Sequence, residues 1–280
     1  VKVPSGTPTG TQKIKVVKKA TPNQESEREN FTVPSTVPND PMDLNQFKAD
    51  GLTVISAGGY STSSTVILRA TSTASMSINM ALEVEVKPTG TSFDEIGIVQ
   101  GPTCSSCTST STAVTVSGLS DGSKHWRART KNTTTNSTSS WICFVDCNIN
   151  NADFIVDANA PAISGVSSSN VSTNSATITW STDEQSTSQV QYNKTGSFVA
   201  DCATNNDCTT LDSNPVTSHT VNLANLDSGT TYYYRVRSKD AAGNEAISSN
   251  YTFSTGSVTQ PAKTTVYYAY ATTSVVSAGA

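Results

Sequence analysis

From Tyr232 to Arg237 the side chains alternate with a period of two: Tyr232, Tyr234 and Val236 share one parity, Tyr233, Arg235 and Arg237 the other. That is the pattern of a strand with one buried and one wet face, which no helix produces. Asp227-Ser228-Gly229 precedes it and Lys239-Asp240-Ala241-Ala242-Gly243-Asn244 follows, each supplying residues that tight reversals demand. Upstream, Val221, Leu223 and Leu226 lead into Gly229 with the spacing V-x-L-x-x-L-x-x-G, and Val114, Val116, Leu119 and Gly122 repeat it. Two copies of one β unit is the natural reading. Further strands are predicted over 65–70, 79–87, 113–117, 124–131 and 141–145 in the first copy. In the second copy Ala176, Ile178 and Trp180 alternate on one strand, Val190 and Tyr192 on another, and Tyr251 and Phe253 on the last.

The two copies differ in register. Counting from the glycine would bury His125 and Arg127 where the second copy buries Tyr232 and Tyr234, and burying unpaired charge is costly. The expectation is therefore Trp126 and Ala128 inside, His125, Arg127, Arg129 and Lys131 outside, and a bulge near Ser123. On the neighbouring strand Leu82, Val84 and Val86 would point inward, leaving Glu83 and Glu85 to face Arg127 and Arg129 across a wet ladder.

The run V-x-L-x-x-L-x-x-G-T-x-Y-x-Y-x-V followed by D-x-x-G-N, from Val221 to Asn244, resembles strands E and F and the F-G turn of a fibronectin type III domain. The resemblance implies an all-β chain of two tandem immunoglobulin-like sandwiches, with Tyr232 as the corner tyrosine whose hydroxyl ties back upstream. The core residues would be Trp126 in the first sandwich and Trp180, Tyr232, Tyr234 and Val236 in the second. The connector Val156-Asp157-Ala158-Asn159-Ala160-Pro161 resembles those between tandem sandwiches of bacterial or archaeal extracellular surface proteins. The organisation expected is an arm over 1–41, sandwiches over 42–157 and 158–256, and a linker and strand over 257–280.

Both ends carry strand patterns outside the sandwiches: Ile14 and Val16 alternate with lysines, and Val266, Tyr268 and Tyr270 oppose Tyr267, Ala269 and Ala271. Such strands need an edge to pair with. The lysines of the arm have no interleaved aromatics to stack bases, and a net charge of -4, from 22 acidic and 18 basic residues, argues against nucleic acid and anionic membranes. Charged residues are only 14% of the 280, so hydroxyls solvate much of the surface, as suits an extracellular chain. No apolar run approaches the ~20 residues of a membrane span, and the absence of an initiator Met or apolar leader reads as a processed form.

The six cysteines fall in close pairs, Cys104/Cys107, Cys143/Cys147 and Cys202/Cys208. In this setting disulfides are the default; Cys202-Cys208 closes its own loop, and the other four allow three pairings or, alternatively, a four-thiolate zinc site. Asp157, Asn159 and Asp240 are weak calcium candidates beside plain turn roles; no cofactor is expected. His125 and His219 sit in no Ser/His/Asp or H-E-x-x-H context, so a non-enzymatic chain is expected. N-x-S/T sequons begin at Asn30, Asn132, Asn136, Asn170, Asn193 and Asn250; glycan modification is open, because so Ser/Thr-rich a chain produces about this number by chance. The function expected is a structural subunit of an extracellular, cell-surface filament or layer, a pilus-like homo-oligomer assembling head-to-tail when a terminal strand is donated to a neighbour. The alternatives are an accessory module of a secreted polysaccharide-active enzyme and an adhesive binding protein.

Overall fold

The structure is a computed structural model that describes residues 10–13, 30–33, 35–198, 202 and 207–259. No helix occurs among them. The strands are β1 (Gly10–Lys13), β2 (Asn30–Val33), β3 (Met42–Lys48), β4 (Gly59–Ser61), β5 (Val66–Pro88), β6 (Val99–Gln100), β7 (Cys104–Val116), β8 (Gly122–Asn132), β9 (Ile142–Cys143), β10 (Phe154–Val156), β11 (Ile163–Ser169), β12 (Ala176–Asn193), β13 (Asp212–Leu223), β14 (Thr231–Lys239), β15 (Glu245–Ile247) and β16 (Tyr251–Ser254). Two compact units contain them: unit 1 runs to Pro161 and takes in Lys239–Ala246, and unit 2 comprises Ala162–Ser238 and the chain from Ile247. In the arm, β1 pairs antiparallel with β2, Gly10 opposite Val33 and Lys13 opposite Asn30. Ile14 and Val16, and Val266, Tyr268 and Tyr270, lie outside the described residues.

Each unit is built round one very long strand. The first part of β5, Val66–Thr73, lies between β3 and β7; its last part, Met80–Pro88, pairs instead with β8 and β6. β12 repeats the device, pairing with β11 and β13 over Ala176–Thr182 and with β14 over Gln189–Asn193. One strand thus belongs to both faces of a sandwich, where the sequence reading had two separate strands. The residues of the crossing in unit 1, Thr71 to Ile78, include no Gly or Pro, so nothing there obliges the chain to reverse.

Between the faces of unit 1 pack Val66, Leu68, Leu82, Val84, Val114, Trp126, Ala128, Phe154 and Val156. Trp126 is fully buried, stacked on Phe144 with ring centroids 5.4 Å apart. In unit 2 the core is Ile178, Trp180, Val190, Leu223, Leu226, Tyr232, Tyr234, Val236 and Phe253. The Tyr232 hydroxyl accepts a hydrogen bond from Asp227 N at 3.0 Å, the corner geometry that pins the approach to β14. This all-β architecture is a fibronectin type III-like, immunoglobulin-like β-sandwich.

The register difference between the copies is real, but no bulge produces it. β8 pairs without interruption with β10 over Gly122–Lys124 and with β5 over Lys124–Asn132. Gly122, at φ 103°, is already the first residue of its strand, whereas Gly229 precedes β14 by a turn. The offset is absorbed in the reversal before the strand, where glycine tolerates positive φ.

Candidate functional site

The ladder on the outer face of unit 1 has the expected register, with Glu83 opposite Arg129 and Glu85 opposite Arg127. It is not wet. Glu85 is 0% exposed and Glu83 4%, because the segment after β5 folds back across them. Glu85 Oε2 accepts from Arg127 Nε and Nη2 at 2.9 and 2.7 Å, and its Oε1 accepts from the backbone N–H groups of Asp94 and Glu95 at 3.0 and 2.9 Å. Glu83 accepts from Arg129 Nε (2.7 Å) and Lys131 Nζ (2.9 Å). The Arg127 guanidinium lies over Phe93 at 4.6 Å and over Trp141 at 4.3 Å, and Arg129 also lies over Trp141 at 4.3 Å. The Trp141 indole N–H donates to Glu95, whose carboxyl is thereby held below its usual range, with the Arg129 charge adding to the effect.

His125, expected outside, shares the parity of Arg127 yet is 1% exposed. Phe93 covers its ring, centroids 4.3 Å apart, and Nε2 meets Thr91 O at 2.8 Å, while Nδ1 has no partner among the described residues. The carbonyl can only accept, so Nε2 carries the proton. On the core side, Trp126 Nε1 donates to Gln46 Oε1 at 3.0 Å and Gln46 Nε2 donates to Asp153 O at 2.6 Å. Asp153 Oδ2 accepts from Trp126 N at 2.8 Å, and burial pushes the carboxyl up to about 6. Gln46, Phe93 and Asp153 carry no sequence signal beyond being a polar residue near a strand or an aromatic in a loop.

Unit 2 holds one compact group of hydroxyls and imidazole. The His219 ring stacks on Trp180 with centroids 4.7 Å apart; its Nδ1 is 2.7 Å from Ser188 Oγ and its Nε2 2.9 Å from Thr182 Oγ1. Thr182 spends its O–H on Glu184 O at 2.7 Å, so Nε2 donates to Thr182 and Nδ1 accepts from Ser188. Ser186 donates to Thr182 at 3.1 Å and Trp180 Nε1 to Ser238 at 2.9 Å. Although Ser188 and His219 contact like a nucleophile and its base, they are 3% and 1% exposed and both ring nitrogens of His219 are engaged by hydroxyls. The group serves the strand: β12 shifts register between Ser181, Ser186 and Ser188, where it changes sheets.

The cysteines form three local disulfides, Cys104–Cys107, Cys143–Cys147 and Cys202–Cys208, with Cα–Cα distances of 6.0, 5.5 and 5.7 Å. This leaves no thiolate of theirs for zinc. Of the calcium candidates, Asp240 uses both oxygens in its own turn, accepting from Gly243 N (2.7 Å), Asn244 N (2.9 Å) and Asn244 Nδ2 (2.8 Å). Asn159 directs its amide at Asp121, while burial, then the Asp240 charge, raises the Asp157 carboxyl. Among the sequons, Asn132 is buried with its amide on Thr36 O (2.9 Å), and Asn193 donates to Ser197 O (2.7 Å) and Asp207 (3.2 Å); Asn136, Asn170 and Asn250 are exposed.

Among the described residues no helix is long and apolar enough to cross a membrane. Residues 163–255 match the model of the purple acid phosphatase N-terminal domain family. Endoglucanase B of Cellulomonas fimi is 40% identical over 117 residues, 40% of this chain, and the match spans only 10% of that relative's length. Similar solved structures include domains A168–A170 of titin (15% identity, 91% of this chain and 85% of that one, TM-score 0.42) and the FN1–FN3 domains of chicken CNTN1 (15%, 84% and 71%, TM-score 0.40). At that similarity, the fold stands on the strand order and corner tyrosine given above: each long strand is shared between two sheets, in a fibronectin type III-like sandwich.

Proposed function

We propose that the chain is a non-catalytic accessory module of an extracellular protein that acts on polysaccharide. The observation that carries this is the 40% identity to a short stretch of Endoglucanase B. The interior chemistry agrees with it, since Glu85, Ser188 and His219 are buried and hydrogen-bonded within their own units. Three disulfides suit an oxidising compartment, which supports a location outside the cell. Among the sequons whose side chains are described, Asn136, Asn170 and Asn250 are the exposed ones on which an N-linked glycan added to the folded chain fits. The test is to assay the purified chain on cellulosic and phosphomonoester substrates. No turnover is expected, and turnover that co-purifies with the chain overturns the reading.

A second reading is self-assembly at a cell surface, head-to-tail, through donation of a terminal strand. It is favoured by the alternation of Val266, Tyr268 and Tyr270 in the sequence after Gly256. A chain truncated after Gly256 should then stay folded and monomeric; equal assembly by truncated and full-length chains removes the tail from the mechanism.

A further inference from the structure

Where β5 changes sheets it leaves a hollow. Its ladder with β7 runs in step to Thr73 and resumes out of step at Ile78 and Met80, and its ladder with β8 begins at Met80 opposite Asn132. Over residues 74–77 the strand has parted from one partner before gaining the other. A cavity of about 270 Å³ opens there, between the crossing strand, Thr36, the turn bearing Ser106 and the turn that follows β8.

Its walls are tied to one another. Asn79 spans two of them, Oδ1 accepting from Ser106 N at 2.9 Å and Nδ2 donating to Thr134 Oγ1 at 3.2 Å. The buried Asn132 joins two more, Nδ2 donating to Thr36 O at 2.9 Å and Oδ1 accepting from Thr134 N at 3.0 Å and Thr135 N at 3.3 Å. The Cys104–Cys107 disulfide closes the turn that carries Ser106. Walls held in this way lose little freedom when the cavity fills.

The lining selects the chemistry of an occupant. None of the described residues that line it is charged, so an ion would shed water there without gaining a countercharge. Ile78 and Met76, packed with Ala74 and Met80, supply an apolar surface. The hydroxyls of the lining residues Thr36, Ser77 and Ser106 make no hydrogen bond among the described residues, so a wholly apolar ligand would strip their water and return nothing. A neutral ring with hydroxyls at its rim and a C–H face satisfies both kinds of surface. The volume lies below the roughly 300 to 1,000 Å³ of sites for drug-sized ligands, which limits the occupant to one such ring. We infer that this cavity binds the terminal pyranose of a neutral glycan. The inference rests on the reading of the chain as an accessory module for polysaccharide and gives that module a point of attachment.

The test follows backbone amide shifts of the 15N-labelled full-length chain as glucose, cellobiose, glucuronate or inorganic phosphate is added. Glucose and cellobiose should move Ile78, Asn79, Ser106, Asn132 and Thr134 selectively, and glucuronate and phosphate should need at least tenfold higher concentrations. Ser77→Leu, which adds bulk from an exposed lining position, and Thr134→Val, which removes a rim hydroxyl, should each weaken cellobiose at least tenfold; Thr220→Leu, exposed on β13, should not. Melting curves check that all three variants fold. Shifts that spare the cavity, or an equal response in all three variants, overturn the cavity as the site and leave the accessory reading standing. Glucuronate bound as tightly as glucose overturns the neutral class, and glucose bound with cellobiose excluded overturns the terminal unit of a chain as occupant. No response to any saccharide overturns the inference alone, whereas turnover of cellobiose by the chain overturns the accessory reading.

Discussion

Arg127 is held on every side: two hydrogen bonds to Glu85, Phe93 over one part of the guanidinium and Trp141 over another. Magnitude separates the two descriptions of this residue. On a wet ladder a cross-strand pair contributes ~0.2 to 1 kcal/mol, but removing one partner of a buried pair strands the other charge and costs ~3 to 5 kcal/mol. Arg127→Ala should therefore lower the stability of unit 1 by ~3 to 5 kcal/mol in denaturant melts, and Arg127→Lys should recover only part, since the flat stacked guanidinium is lost. A loss below ~1 kcal/mol would return the pair to solvent. The pairing itself was legible, because period-two alternation fixes which side chains face each other. The burial was not, because it comes from Phe93, Asp94 and Glu95 in a polar loop whose destination no local pattern encodes.

At the level of elements, the shared strand is the feature to explain. A strand that leaves one sheet for another must break its ladder, and the freed polar groups need partners. In β12 these are side chains: Thr182, Ser186 and Ser188 gather round His219 on β13 where the register shifts. Ser188→Ala leaves His219 Nδ1 a buried acceptor without a donor, an expected cost of ~1 to 3 kcal/mol confined to unit 2. A cost shared equally by both units' melting transitions would mean that the group does not belong to one element of one core. Sequence alternation found the inward faces of β5, β8, β12 and β14, including Trp126, Trp180, Tyr232, Tyr234 and Val236, because apolar burial is written with a period of two. It divided β5 and β12 because a hydroxyl-rich stretch reads equally well as a turn or as a strand crossing between sheets.

For the whole molecule, acid should act on the two units in opposite directions. Burial raises the Asp153 carboxyl to about 6, well above the 3.8 of the free side chain, so folded unit 1 binds that proton more tightly than the unfolded chain does. The stability it confers is complete below the unfolded value and is lost as pH rises through about 6. His219 is the reverse: burial lowers its affinity for a proton from the ordinary 6.5, so unit 2 is stabilised above 6.5 and loses that contribution as pH falls. Between pH 7 and pH 5, then, Asp153 favours folded unit 1 as acid is added while His219 disfavours folded unit 2. Other carboxylates titrate too, so the quantity to read is the difference between the unaltered chain and a variant at each pH. Asp153→Asn keeps an acceptor for Trp126 N and should gain most for unit 1 at pH 7, the advantage shrinking toward pH 4; His219→Gln should show its largest loss for unit 2 at pH 7 and a smaller one at pH 5. Calorimetry across this range reads both, and difference curves of the same sign for the two variants would mean that at least one of these groups is not buried in the state described.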